Sequence, residues 1–163
     1  MKPDQWPATP GTYALVLELP RSARVRIGRL GTFRFPAGCY IYVGSALGPG
    51  GLRARLERHC RRRKKMHWHI DYLLARARIA AVRHDASGER LECAWARNYE
   101  KCPGVSIIVP GFGASDCSCR SHLFYRGSSP LETRGPIGQA LDCADPDHLS
   151  RPGDALQHQS TPL

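Results

Sequence analysis

The run Cys39-Tyr40-Ile41-Tyr42-Val43-Gly44-Ser45-Ala46 decides the fold, together with the Gly48-Pro49-Gly50-Gly51 and Leu52-Arg53-Ala54-Arg55-Leu56-Glu57-Arg58-His59-Cys60 that follow it. Aromatic and β-branched residues over 39–43 predict a strand, with Tyr40 and Tyr42 on one face and Ile41 and Val43 on the other. The glycine- and proline-rich stretch after it cannot continue regular structure. From Leu52 to about Arg62 the period becomes helical, with Leu52, Leu56 and Cys60 on the apolar stripe. Arg55 and His59 lie at the edge of that stripe, one turn apart, where both can approach one site. Arg53 and Arg58 lie farther round and are expected to face solvent.

Upstream, Thr12 to Leu19 alternates as a half-buried strand would, placing Tyr13, Leu15, Leu17 and Leu19 on one face. A second strand is expected near Arg24–Ile27, turning at Gly28 and Gly31, with Thr32–Phe35 extending the sheet before Pro36-Ala37-Gly38 interrupts it. Downstream, His67 to about Ala77 reads as a helix on Ile70, Leu73, Leu74 and Ala77. Ile79–Val82 reads as a strand turning at Ala86-Ser87-Gly88. Leu91 to Lys101 reads as a third helix with Leu91, Ala94 and Trp95 inside. Val105–Val109 is a strand or a buried connection, and His122–Tyr125 a last short strand. The whole predicts one α/β domain over 11–126, a small mixed, mainly antiparallel sheet flanked by helices. An N-terminal extension (1–10) precedes it. Beyond Gly127, Gly, Pro, Ser, Asp and Gln without periodicity predict a disordered acidic tail over 127–163.

The net charge of +10 is unevenly spread. Residues 1–126 carry 22 Lys and Arg against 9 Asp and Glu, a surplus of +13, while 127–163 carry 2 against 5, or −3. One-signed charge on a compact domain points to a polyanion, nucleic acid first. A membrane surface is disfavoured, because the basic helix lacks the broad apolar face that interfacial helices use. The first residues, Met1-Lys2-Pro3-Asp4-Gln5-Trp6-Pro7, contain no apolar core of a signal peptide, and no stretch of about 18 apolar residues exists. Seven cysteines, an odd number without a secretion signal, favour reduced thiols or a metal site over a disulfide framework. The expected location is cytoplasmic.

Two tyrosines on strands, with an Arg and a His one helical turn apart, suit a phosphodiester. Hydrolysis needs a base to activate water, positive charge for the developing oxyanion and help for the leaving group. Tyr13 and Tyr42 offer phenols, which titrate near 10 unless cations or a metal-bound water favour the ionised form. Arg55 offers a permanent charge in a fork that fits phosphate oxygens. Mg²⁺ or Mn²⁺ needs only one or two protein carboxylates beside substrate oxygens and water. Glu92, beside the inner residues Leu91 and Trp95, is the favoured carboxylate; its competing reading is an acid placed by the dipole of its helix.

The order Gly11-Thr12-Tyr13, Tyr42-Val43-Gly44, then Leu52-Arg53-Ala54-Arg55-Leu56-Glu57-Arg58-His59 resembles the GIY-YIG nuclease superfamily over residues 11–125. The resemblance implies an active site of Tyr13, Tyr42, Arg55 and Glu92, with Glu92 holding a divalent metal and Tyr13 as general base. His59 matches a His that some members carry one turn after the Arg. Longer strings are similar to a little-characterised branch that occurs alone or fused to endonuclease-III-type DNA glycosylases. They are Phe35-Pro36-Ala37-Gly38, Tyr42-Val43-Gly44-Ser45-Ala46, His67-Trp68-His69-Ile70-Asp71-Tyr72-Leu73-Leu74 and Gly111-Phe112-Gly113-Ala114-Ser115-Asp116-Cys117-Ser118-Cys119. The branch implies DNA as partner, a repair setting and a glycosylase as possible companion. The chain departs from the superfamily in having Thr12 where Ile is usual and in lacking a late Asn that many active members carry.

Other residues read two ways. Cys117-Ser118-Cys119-Arg120-Ser121-His122 offers three soft ligands, with Cys93 or Cys102 as a fourth, for a structural Zn²⁺. The competing reading is small buried cysteines of a turn. Asp116 and His122 could instead line the nuclease site from the opposite side. Asp71 is expected to support the first turn of its helix, His69 to bond a backbone group or a phosphate, and Trp68 to pack on Tyr72. Arg61, Arg62, Arg63, Lys64 and Lys65, with Arg53 and Arg58, form an expected phosphate-tracking surface. Two competitors to a metal-dependent DNA endonuclease stand: a non-catalytic nucleic-acid-binding module on the same fold, and a zinc-stabilised interaction domain for a repair protein.

Overall fold

A computed structural model describes residues 5–127. The expected tail after Gly127, and Cys143 with it, lies outside the described residues. Strands β1 (Gly11–Leu19), β2 (Ala23–Ile27), β3 (Gly31–Phe35) and β4 (Gly38–Ala46) come first, then helices α1 (Gly51–Cys60) and α2 (His69–Leu74). Strand β5 (Arg78–Asp85), helix α3 (Glu92–Glu100) and strand β6 (Leu123–Gly127) complete the order. The main sheet runs β5-β1-β4-β6 and its pairs are antiparallel. The α/β class with a mainly antiparallel sheet is therefore the architecture observed. The hairpin β2-β3 pairs only with itself and forms a second sheet instead of extending the first.

Central β1 is buried on both faces, not on one. Tyr13, Leu15, Leu17 and Leu19 join Tyr40 and Tyr42 of β4 against Leu52 and Leu56 of α1, Ile70 and Leu73 of α2, and the hairpin's Ile27 and Phe35. On the opposite face Ala14, Ile41, Val43 and Phe124 pack against Trp95, Ala96 and Tyr99 of α3. Each large side chain so buried contributes about 1.5–3 kcal/mol. The alternation expected of Tyr40 to Val43 is what divides the two cores.

Helix α1 has no side-chain cap at its start. Its first N–H groups go to carbonyls of the segment before β1: Leu52 N donates to Thr9 O at 3.0 Å and Arg53 N to Pro7 O at 2.9 Å. Gly51 has φ +53°, and a Cβ there would collide with Thr9 O. Trp6, only 5% exposed, belongs to the core. Residues 6–9 are thus part of the domain's packing rather than a mere extension of it.

Helix α2 is shorter than expected, ending at Leu74 before the turn into β5. Residues 105–109 are a buried connection rather than a strand: one bridge, Ser106 to Tyr125, pairs them with the sheet, and Val109 is buried in the core. The inner face of α3 is Trp95, Ala96 and Tyr99, and Ala94 is exposed, against expectation. The reason is phase: Leu91 is the cap, outside the helix, so counting inward residues from it rotates the face. From Glu92 the stripe runs i, i+3, i+4, i+7, which puts Glu92 itself on the inward side. No helix among the described residues is long and apolar enough to cross a membrane.

Candidate active site

Antiparallel register sets Tyr13 of β1 directly opposite Gly44 of β4. The glycine is a matter of space: a Cβ at Gly44 would stand 2.6 Å from Tyr13 Cζ. The phenol lies across that gap and its hydroxyl meets His59 Nε2 at 2.7 Å. Gly44→Ala is expected to destabilise the fold by about 1–3 kcal/mol, as overpacking does, and to force Tyr13 off His59. Thermal unfolding checks the first effect, and the shift of the Tyr13 ring resonances the second.

Tyr42 neighbours Tyr13, with ring centroids 6.4 Å apart. Burial first pushes both phenols above their usual range; Tyr42 and then Glu92 add to it at Tyr13, and Glu92 at Tyr42, while the Arg55 guanidinium pulls the other way. His59 is held down to about 3, by burial and then by Lys64, with Arg55 and Arg58 adding to it. Tyr13 and His59 therefore form a neutral pair at physiological pH, in which the imidazole orients the phenol.

Arg55 is placed by a buried ion pair behind it. Asp71, with no exposed surface, accepts Arg58 Nη1 at 2.9 Å and Nη2 at 3.0 Å in bidentate fashion. It also accepts the backbone N–H groups of His67 and Trp68, each at 3.0 Å, as an acid supporting the first turn of α2. Burial opposes its charge, but the hydrogen bonds from Arg58, Trp68 and His67 outweigh that and hold its carboxyl at about 2. Trp68, gripped there, lies under two guanidiniums, with Arg55 4.1 Å and Arg58 4.0 Å from its ring centre. Trp68 thus stacks on cations, not on Tyr72 as expected. Arg58 is committed to Asp71, and Arg53 donates to Trp6 O at 3.0 Å, so neither simply faces solvent. Lys64 also turns inward: its Nζ donates to His59 O at 2.8 Å and lies 3.7 Å from Asp71. Arg61, Arg62, Arg63 and Lys65 remain exposed.

His69 Nδ1 accepts Gly113 N at 3.0 Å, the backbone bond expected of it. That bond ties α2 to the 110–116 loop and brings Asp116 to the rim. From the other face of the sheet, Thr12 Oγ1 accepts Leu91 N at 3.0 Å and donates to Glu89 O at 3.3 Å, latching the start of α3 beside Tyr13. Glu92 follows at once. Burial opposes its ionisation, but contact with His122, a hydrogen bond with Ser45 and the charge of Arg90 hold its carboxyl below the usual range. His122, 1% exposed, stands behind it with Nδ1 3.0 Å from Oε1.

A cleft of about 410 Å³ opens at this end of the sheet, and Tyr13, Tyr42, Arg55, His69, Glu92 and Asp116 line it. Ser45 and Arg90 line it too and were not anticipated. Strand alternation carried a signal for Ser45, since it shares the face of Ile41 and Val43 toward α3. His59 and His122 act from behind the walls. The donor set fits a hard divalent cation: an ionised carboxylate, a second acid across the cleft, and room for substrate oxygens and water. A family model described as "Domain of unknown function DUF123" matches residues 12–141. The chain belongs to the DUF123 family. No curated protein and no solved structure matches it. The DUF123 match spans every cleft residue named here, together with the cysteines and histidine beside them.

Proposed function

We propose that this DUF123 protein is a metal-dependent endonuclease hydrolysing phosphodiester bonds in DNA, built on the GIY-YIG plan. One observation carries the reading: Tyr13, Tyr42, Arg55 and Glu92, from four different elements, line a single cleft, and the carboxylate among them is ionised. A basic surface supports it, with exposed Arg61 and Arg62 lining a second hollow beside Arg76 and Arg78. Arg55 holds the scissile phosphate, and Tyr42 orients the phosphate or the attacking water. Tyr13, kept in place by His59, takes up the water's proton as it passes its own phenolic proton to His59 Nε2, 2.7 Å away. Glu92, with Asp116 opposite, would hold Mg²⁺ or Mn²⁺, which when bound would supply Lewis acidity and lower the pKa of water. The likeness to proteins fused to glycosylases supports a repair setting.

A second reading, a nucleic-acid-binding module without catalysis, draws on Tyr13, whose burial works against the phenolate a base requires. Cleavage of labelled single-stranded, duplex, branched and abasic-site DNA with Mg²⁺ or Mn²⁺ separates the two. Tyr13→Phe and Arg55→Ala are expected to lower the rate by about 10²-fold or more, the scale of losing one transition-state contact. Salt-sensitive binding with no cleavage under either metal leaves the binding module standing, and preference for the abasic duplex supports the repair setting.

A further inference from the structure

We propose that Cys93, Cys117, Cys119 and His122 hold a tetrahedral Zn²⁺, and that this ion fixes the imidazole against which Glu92 rests. Along the chain only Cys117, Cys119 and His122 are close. The fold supplies the fourth ligand, Cys93, from the first turn of α3, immediately after Glu92. The three sulfurs and a His122 ring nitrogen all lie within 4.8 Å of one another, with Cys117 Sγ 3.4 Å from Nε2. Zinc bonds of about 2.3 Å to sulfur and 2.0 Å to nitrogen put tetrahedral ligand atoms roughly 3.5–3.8 Å apart. A small contraction of the cluster therefore closes around the ion. Cys102, the other candidate, is buried beside Tyr99 and lies outside the group.

Packing alone does not account for the group. Cys93, Cys117 and Cys119 are only partly buried, unlike cysteines that fill a core. His122 supplies the independent observation: it is almost wholly buried, turns Nε2 to the thiols and sets Nδ1 3.0 Å from Glu92 Oε1. A metal-bound histidine characteristically gives its second N–H to a carboxylate, which fixes tautomer and ring orientation. Three thiolates and an imidazole favour zinc over hard cations, and a set of four protein ligands leaves no open position, as in structural sites. Binding releases three thiol protons to solvent. Only the consequence for cleavage rests on reading Glu92 as the carboxylate of a nuclease.

Elemental analysis of the purified full chain is expected to give one zinc per chain. The Co²⁺-exchanged protein is expected to show sulfur-to-cobalt charge transfer and the intense visible bands of four-coordinate cobalt. Cys93→Ser and Cys117→Ser should weaken metal binding at least about tenfold, whereas Cys39→Ser, outside the cluster, should not. Folded parent protein with no bound zinc, or a disulfide joining two of the three cysteines, overturns the site. Because the parent's metal content and cobalt spectrum decide the matter, a variant that fails to fold does not obscure it. Zinc in a protein that cuts no DNA keeps this site and removes the nuclease. Cleavage by folded, zinc-free protein does the reverse.

Discussion

Glu92→Gln protein is expected to bind DNA within about twofold of the parent in the absence of divalent metal, yet to cut it at least about 10²-fold more slowly. The amide keeps the volume and most of the contacts of the carboxylate. Thr12 still latches the start of α3, and the inward stripe of Trp95, Ala96 and Tyr99 is untouched. What disappears is the negative charge that, on the proposed reading, would hold the cation. DNA binding, on the same reading, would depend instead on exposed cations such as Arg61, Arg62 and Arg63, whose contribution is electrostatic and falls with salt. Parallel measurements of cleavage rate, metal-free affinity and melting temperature test this. A variant that cuts DNA as fast as the parent sinks the assignment of Glu92.

Asp71→Ala is expected to be the most destructive single change to stability, at about 3–5 kcal/mol, the usual result of leaving a buried charge without its partner. Arg58 and Lys64 would keep their charges, and two backbone N–H groups would lose their acceptor. For a domain of this size that corresponds to a fall in melting temperature of about 10–20 °C. The same carboxylate predicts acid sensitivity. Its folded value, about 2, lies below the ordinary 3.8. Its stabilisation is therefore complete above about pH 4 and is lost as pH falls toward 2. One pKa unit corresponds to about 1.4 kcal/mol, so the window is worth roughly 2 kcal/mol. Unfolding free energies measured across pH 2–6 should show that loss in the parent and a flatter profile in Asp71→Asn. A parent profile as flat as the variant's refutes the role.

Much of this could be read before any coordinates. Strand alternation placed Tyr13 with Leu15 and Leu17, and Tyr42 with Tyr40; that these are one face of the sheet follows from the β1–β4 register. Helical spacing put Arg55 and His59 together, and the two cores follow from Tyr40 to Val43. The rest depended on contacts between distant segments. Arg58 is exposed by helical phase alone and becomes partly buried only because Asp71 returns to it from α2. Lys64 reads as one member of a basic run, yet its ammonium folds back onto α1. The turn of α3 was misjudged by one residue because Leu91 has the apolar character of an inner position and the backbone of a cap. Cys93 could not be told from Cys102 as a fourth ligand, since only the packing of α3 beside the 110–122 loop separates them.

Trp68 gives the molecule a gauge of its own. The emission of an indole follows the charges around it, and two guanidiniums lie over this one. Arg58 is anchored to Asp71, but Arg55 faces the cleft. A phosphate that draws Arg55 away changes the field at the ring, while Trp6 and Trp95, nearly enclosed in the two cores, stay as they were. On the proposed reading, a phosphate in the cleft would thereby be written into the protein's intrinsic fluorescence, visible without a label.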